Sequence, residues 1–215
     1  MSSSGQAIAA VATLDDPHRS GLYRFVRAAR RPVGRDEAAE AVGISRKLAA
    51  FHLDKLVDAG LLQAGSAPVG RVGRRPKVYT PATDDLRVCL PPREPGLLAS
   101  VLMDALLARA AGESAQQAVT RVAEERGERV GTAARGAELL DLLTEHGFEP
   151  ERAEDGLRLR NCPFHPLVAQ QPELVCGLNH AYLSGLLTGL RDASVHARLQ
   201  PEPGECCVRL DPSTG

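Results

Sequence analysis

Residues 35–60, RDEAAEAVGISRKLAAFHLDKLVDAG, leave the chain around them few options. Ala38, Ala39 and Val42 give a short helix a small inward face, against which a second helix can pack closely. Gly43 supplies the turn, where a left-handed backbone costs a glycine little. Ile44 plugs the corner, and Ser45 is a good N-cap for the next helix, although no Glu or Gln three residues on completes a capping box. In that helix Ala49, Leu53 and Leu56 fall at i, i+4, i+7, one buried stripe. The opposite face carries Arg46, Lys47 and Ala50 near the helix start, where a recognition helix meets base edges in the major groove. The stretch predicts a helix-turn-helix.

Its flanks extend the reading. Asp15-Asp16-Pro17 opens a supporting helix, with Leu22, Phe25 and Val26 as its apolar side. After Gly60 the period changes: LLQAGSA reads as a strand, PVGRVGRRP as a Gly/Pro/Arg loop and KVYTPA as a second strand. A hairpin directly after a recognition helix is a wing. Its tip would carry Arg71, Arg74 and Arg75, with Lys77 behind, a cluster suited to phosphates or a narrow minor groove. The formal net charge of −1 conceals an asymmetry: residues 15–82 hold 13 Lys and Arg against 7 Asp and Glu, and residues 83–215 hold 13 against 20. A polyanion, double-stranded DNA, is thus expected as a partner of the first part alone. Arginine outnumbers lysine 23 to 3, a bias that leaves any single arginine little to say.

Composition excludes several classes. With 43% hydrophobic and 25% charged residues, the chain resembles a water-soluble globular protein. No apolar run approaches the roughly 20 residues of a membrane span, and MSSSGQAIAAVATL lacks the basic start and apolar stretch of a signal peptide. The expected location is the cytoplasm. No G-x-G-x-x-G, P-loop or Ser/His/Asp arrangement occurs, so no enzymatic activity is expected. Five cysteines in such a chain point to metal or redox chemistry rather than a disulfide framework.

The expected organisation is α+β: a poorly ordered tail at 1–13, a winged helix-turn-helix at 14–83, a proline-rich linker at 84–96, and a dimerisation and cysteine-rich sensor domain at 97–215, helical with a small antiparallel sheet. Leu97, Leu98, Val101, Leu102, Ala105 and Leu106 form a wide apolar stripe on one helix, and a second helix spans about 114–130. These two are the most plausible dimerisation elements; covering their own domain is the alternative. A third helix covers 137–146. FEPERAEDGLRLRNCPFHPL reads as a hairpin turning at 154–156 and leaving Cys162 at a strand end; PELVCGLNHAYLSGLLTGL is a helix with Cys176 and His180 one turn apart. SVHARLQPEPGECCVRLDP reads as two strands, with Cys206 and Cys207 near the start of the second. Adjacent strand residues face opposite ways, so both reach one site only at a bulge or strand end. Cys89, in a strand-like run, reads as a small buried hydrophobe, and His52 as a helix-surface residue.

GISRKLAAFHLDKLVDAGLL followed by GRRPKVYTP resembles the winged-helix domain of ArsR-like transcriptional regulators over about residues 14–83. The resemblance implies that Ser45, Arg46, Lys47 and Ala50 face the major groove and that a dimer binds an operator. Phe51 and His52 stand where that family often has an aromatic and a histidine, which leaves open whether they touch DNA or pack inward. NCPF, LVC and the terminal cysteine pair, spaced Cys162-x13-Cys176-x29-Cys206, are similar to SufR-type iron–sulfur regulators. That implies a cluster held by Cys162, Cys176 and Cys206, with Cys207, a histidine or a group outside the chain as fourth ligand. The chain departs from some members in having no cysteine between Cys176 and Cys206. Two alternatives stand beside it. Zinc could be held by Cys162-x2-His165 and Cys176-x3-His180; a metal-free sensor would answer to an organic ligand or to thiol oxidation.

Overall fold

The structure, a computed structural model, describes residues 3–66, 76–82, 86–202 and 204–213. The chain divides into two compact units, residues 1–88 and 89–215. Among the described residues the architecture is mixed α/β, with eight α-helices and two small antiparallel sheets. None of the described helices is long and apolar enough to cross a membrane.

In the first unit α1 (Ser3–Thr13) replaces the expected tail. Ala10 is buried in the unit's core, and that burial gives the helix a reason to form. Helix α2 (Pro17–Ala29) starts as its sequence predicts, with the Asp16 side chain accepting from the Arg19 N–H at 2.9 Å and Pro17 in the first turn. Then follow β1 (Val33–Gly34), α3 (Arg35–Val42), α4 (Arg46–Asp58), β2 (Leu62–Ser66) and β3 (Lys77–Pro81). Gly43 ends α3 with φ 71°, and the Ser45 hydroxyl accepts from the Leu48 N–H at 3.2 Å to open α4. Leu22, Val26, Val33, Leu53, Leu56 and Tyr79 close the core between α2, the α3–α4 pair and the sheet. The sheet runs β1-β3-β2, and β1, which the sequence did not announce, pairs Val33 with Tyr79. Two helices joined by a tight turn, α3 and α4, thus precede the antiparallel pair β2–β3. Arg71, Arg74 and Arg75 lie outside the described residues.

The second unit begins inside the expected linker. Glu94 donates its N–H to the Pro163 carbonyl at 2.8 Å, and α5 (Pro95–Leu107) starts two residues earlier than its stripe suggests. Helix α6 (Ala115–Ala133) opens on a full capping box, Ser114 with Gln117. After α7 (Leu139–Glu145) come the hairpin β4 (Pro150–Ala153) and β5 (Gly156–Leu159), a 3₁₀ turn at Leu167–Ala169, α8 (Pro172–Leu190), β6 (Val195–Leu199) and β7 (Val208–Pro212). The sheet order is β4-β5-β7-β6, antiparallel throughout. Leu98, Val101 and Ala105 of α5 are buried, but Leu106 is exposed, so the stripe is narrower than its sequence suggests. Cys89 is exposed and lies in no strand.

Two glycine pairs set the interior of this unit. Gly127 and Gly131 of α6 face Gly185 and Gly189 of α8. A Cβ at Gly127 would stand 2.0 Å from the Tyr182 carbonyl oxygen, and one at Gly185 would stand 2.0 Å from that of Glu124. The two backbones touch, at a spacing that any side chain would forbid. Gly185→Ala is therefore expected to destabilise the second unit by about 3 kcal/mol or more, the upper range of overpacking. Gly177→Ala, whose added carbon would meet only the flexible end of Gln116 at 3.3 Å, is the matched control and stays within about 1 kcal/mol. Denaturant unfolding of the two variants measures the contrast.

Candidate nucleic-acid interface and thiol cleft

Helix α4 buries Ala49, His52, Leu53 and Leu56. Ser45, Arg46 and Lys47 are exposed at its start, and Ala50 is half-buried beside them. The Arg46 Nε lies 2.7 Å from Asp36 on α3, with both side chains about 70% exposed. A pair so open to water is worth little and exchanges readily for another anion. Lys77 is differently placed. Its ammonium sits 2.6 Å from Asp54 Oδ1, which also accepts from the Tyr79 hydroxyl at 2.9 Å. Burial works to raise the Asp54 pKa, but the hydrogen bonds from Lys77 and Tyr79 outweigh it and hold the carboxyl below its ordinary value. The same bond raises the Lys77 pKa. Lys77 thus fastens β3 to α4, an engagement its place beside the wing tip did not reveal.

His52, expected on the surface, is 6% exposed. Its ring stands 5.7 Å from that of His18 on α2, and its Nδ1 is 4.0 Å from Asp16 Oδ1. Phe51 points outward, 55% exposed. The structure thereby separates two neighbours whose orientation the sequence left open.

In the second unit Cys162, Cys176, Cys206 and Cys207 come together from three places: the loop after β5, the first turns of α8, and the residues just before β7. Strand β7 starts at Val208, so the adjacent cysteines sit ahead of its regular alternation. The Cys206 N–H donates to Leu159 O at 2.8 Å, and Cys207 O accepts from Gln200 N at 2.8 Å. The thiols act on one another's ionisation in the order Cys162, Cys206, Cys207, Cys176. Contact with Cys206 and then burial push the Cys162 thiol far up; burial raises Cys176. At Cys206 the Cys162 contact lowers the pKa, but contact with Cys207 and burial win, and it is pushed up to about 12. Cys162, Cys176 and Cys207 line a cleft of about 370 Å³ that His165, Glu173 and Glu205 also border. Cys206 lies behind them. Among the described residues no group of three or more His, Cys, Asp or Glu side chains is set to hold a single metal ion. His180 does not face the thiols' cleft; its Nε2 meets the Ala197 carbonyl at 3.2 Å.

Three residues that the sequence did not single out build the thiol site. Asn161, buried, donates to Pro92 O and Gly147 O at 3.0 and 2.6 Å. Arg93 donates to the Asn161 side chain and, at 3.1 Å, to Cys162 O. Asn179, fully buried one turn after Cys176, donates through Nδ2 to Cys206 Sγ at 3.1 Å, while its Oδ1 is buried without a hydrogen-bond partner. A buried Asn in an otherwise apolar helix stretch was the available signal.

No protein-family profile matches the chain, and no curated protein matches it. Among solved structures the chain is similar to the solution NMR structure of the homodimeric winged helix-turn-helix DNA-binding domain (fragment 1–100) Mb0332 from Mycobacterium bovis, described as a possible ArsR-family transcriptional regulator. The identity is 21% over 51% of this chain and 89% of that one, with a TM-score of 0.31. A likeness at that level carries no weight for the role of this chain.

Burial gives the thiols unequal reactivity. In metal-free protein at neutral pH, exposed Cys89 should be alkylated by iodoacetamide at least about tenfold faster than Cys162, Cys176 or Cys206, whose thiolates are scarce and screened from reagent. Timed mass spectrometry reads this directly. Equal rates at all sites would mean that the cleft opens freely.

Proposed function

We propose that the chain is a homodimeric transcriptional regulator that reads double-stranded DNA with α4 and the wing, and whose operator affinity is set by an iron–sulfur cluster in the second unit. Exposure of Arg46 and Lys47 at the start of a helix that follows a tight glycine turn carries the DNA reading. The basic balance of residues 15–82, with Arg71, Arg74 and Arg75 between β2 and β3 in the chain, supports it. The double change Arg74→Ala, Arg75→Ala should weaken binding to all duplexes. It should also flatten the salt dependence by roughly 0.9 in log–log slope for each phosphate that the arginines no longer neutralise. An unchanged slope, measured by titration at several salt concentrations, would remove the wing from the interface.

The convergence of four thiols from three elements carries the cluster reading. Soft thiolates suit iron and iron–sulfur groups, and four of them in one part of the core would supply the donors such a group needs. Cys162, Cys176 and Cys206 would be ligands, with Cys207 or His165 completing the set. When bound, such a cluster supplies a redox-sensitive tie among the cysteine loop, α8 and β7. The chain's own residues do the remainder. Asn161 and Arg93 fix the loop that bears Cys162, Asn179 orients Cys206, and the neutral, buried thiols keep the site packed when no group is bound. Operator affinity then changes by the free-energy difference between tied and untied states.

Protein purified without oxygen should be brown and contain iron. Cys162→Ser, Cys176→Ser and Cys206→Ser should each lose the colour, while Cys89→Ser retains it. Cys207→Ser decides whether the pair supplies two ligands or Cys206 alone. Duplex binding should survive in every one of these variants but no longer respond to oxygen or chelators. A colourless wild-type protein that contains zinc, or no metal at all, would replace the cluster with one of its alternatives.

A further inference from the structure

Helix α4 carries an apolar group where a purely phosphate-binding surface would have none. Its outward line runs Lys47, Phe51, Asp54 and Asp58, at i, i+4, i+7, i+11, opposite the buried Ala49, His52, Leu53 and Leu56. Phe51, the sixth residue of the helix, is 55% exposed, and Leu48, three residues earlier and on its flank, is 37% exposed. Nothing in the core of the first unit takes up the Phe51 ring. The ring stands edge-on to buried His52, with centroids 5.3 Å apart and planes at 70°. The ring is thus presented to solvent in a preferred orientation, one turn after a lysine and beside Arg46. A large apolar side chain left in water forgoes the stabilisation that burial would give it.

The basic residues on the same turns restrict what can cover it. Arg46 and Lys47 precede Phe51 and the acidic Asp54 and Asp58 follow it, so a partner that meets the first turns of α4 carries negative charge there. Within the major groove the apolar feature that distinguishes one base from the others is the C5-methyl group of thymine. Resting on the DNA-reading assignment above, we infer that Phe51 is a specificity-determining residue. It closes over a thymine methyl in each half-site, while Arg46 and Lys47 make the polar contacts around it. The backbone-contacting arginines would set affinity for any duplex, and Phe51 would set which duplex is preferred.

Replacing thymine by deoxyuridine deletes that methyl and nothing else, which makes the inference directly testable. The probe is a duplex selected from a random pool by the full-length wild-type protein, then resynthesised with single thymine-to-deoxyuridine changes. At one thymine in each half-site the change should weaken wild-type binding about fourfold, the effect of one buried methyl. Phe51→Ala should bind the thymine and deoxyuridine forms of that position equally. The variant should also keep the wild-type salt dependence, since no charge is altered. Because Phe51 is exposed, the variant should unfold at the wild-type denaturant concentration. Indifference of the wild type to every deoxyuridine change, or a sensitivity that Phe51→Ala leaves intact, overturns the inference and leaves the ring to a protein surface. Failure of the wild type to select any duplex is a separate result, and it overturns the DNA-reading assignment as well.

Discussion

The second unit depends on two helices being allowed to touch along their backbones. Helix pairs ordinarily stand 8–10 Å apart because side chains keep them there. Here the facing positions are Gly127 and Gly131 on one helix and Gly185 and Gly189 on the other. Any Cβ would fall 2.0 to 2.2 Å from a carbonyl oxygen across the interface. The arrangement is reciprocal: each glycine of α6 receives a carbonyl of α8, and each glycine of α8 receives one of α6. Glycine inside a helix costs up to about 1 kcal/mol each relative to alanine, so four of them must be offset by the contact they permit. Tight dispersion contact and Cα–H···O approaches along two touching backbones are the available sources. The closeness fixes α8 in depth and rotation, and α8 carries both Cys176 and Asn179.

That placement turns dispersed cysteines into one site. Asn179 is fully buried on the helix whose other buried residues are almost all apolar, and its Nδ2 is committed to Cys206 Sγ. A rotation of α8 by one residue would remove both the amide and the Cys176 thiol from their partners. Leaving a buried amide unpaired costs about 1–3 kcal/mol, so the glycine contact and the amide–thiol bond favour the same rotation. The third contributor is the segment before β7. Since Cys206 and Cys207 precede the strand, both can turn inward: Cys207 to the cleft with Cys162 and Cys176, and Cys206 to the layer behind. Had β7 begun two residues earlier, pleating would have sent one of the pair to the opposite face.

Much of this was legible in the sequence, and the exceptions share a cause. Local signals were reliable: Asp16-Pro17 before α2, Gly43 and Ser45 around the turn, and the turn of the β4–β5 hairpin at residues 154–156 all act within a few residues of themselves. What could not be read needed a partner from elsewhere. Residues 1–13 look like a featureless Ala/Ser tail until the first unit's core covers Ala10. The short β1 exists because β3 offers it a ladder, and Lys77 meets Asp54, 23 residues away. Gly127, Gly131, Gly185 and Gly189 resemble flaws in two helix patterns until the helices are brought together. For the thiols, spacing could bring four cysteines near one another but could not rank Cys206 against Cys207. The turn just ahead of β7 decides which of the two faces the cleft.

The way the chain enters the second unit gives the thiol site a mechanical position. The stretch that follows the first unit runs directly onto the cysteine loop: Glu94 N–H bonds Pro163 O, and Arg93 bonds Cys162 O and the Asn161 side chain. Asn161 in turn holds Pro92 O and Gly147 O. These bonds are concentrated on the residues flanking one thiol, so the backbone of Cys162 cannot shift without shifting Arg93. Helix α5 begins one residue after Glu94. On the proposed reading, a change in what Cys162 holds would reach Arg93 and Glu94 through these hydrogen bonds. The four thiols belong to the hydrophobic core, and on the proposed reading a ligand held there would tighten one loop, the loop that Arg93 and Glu94 bond.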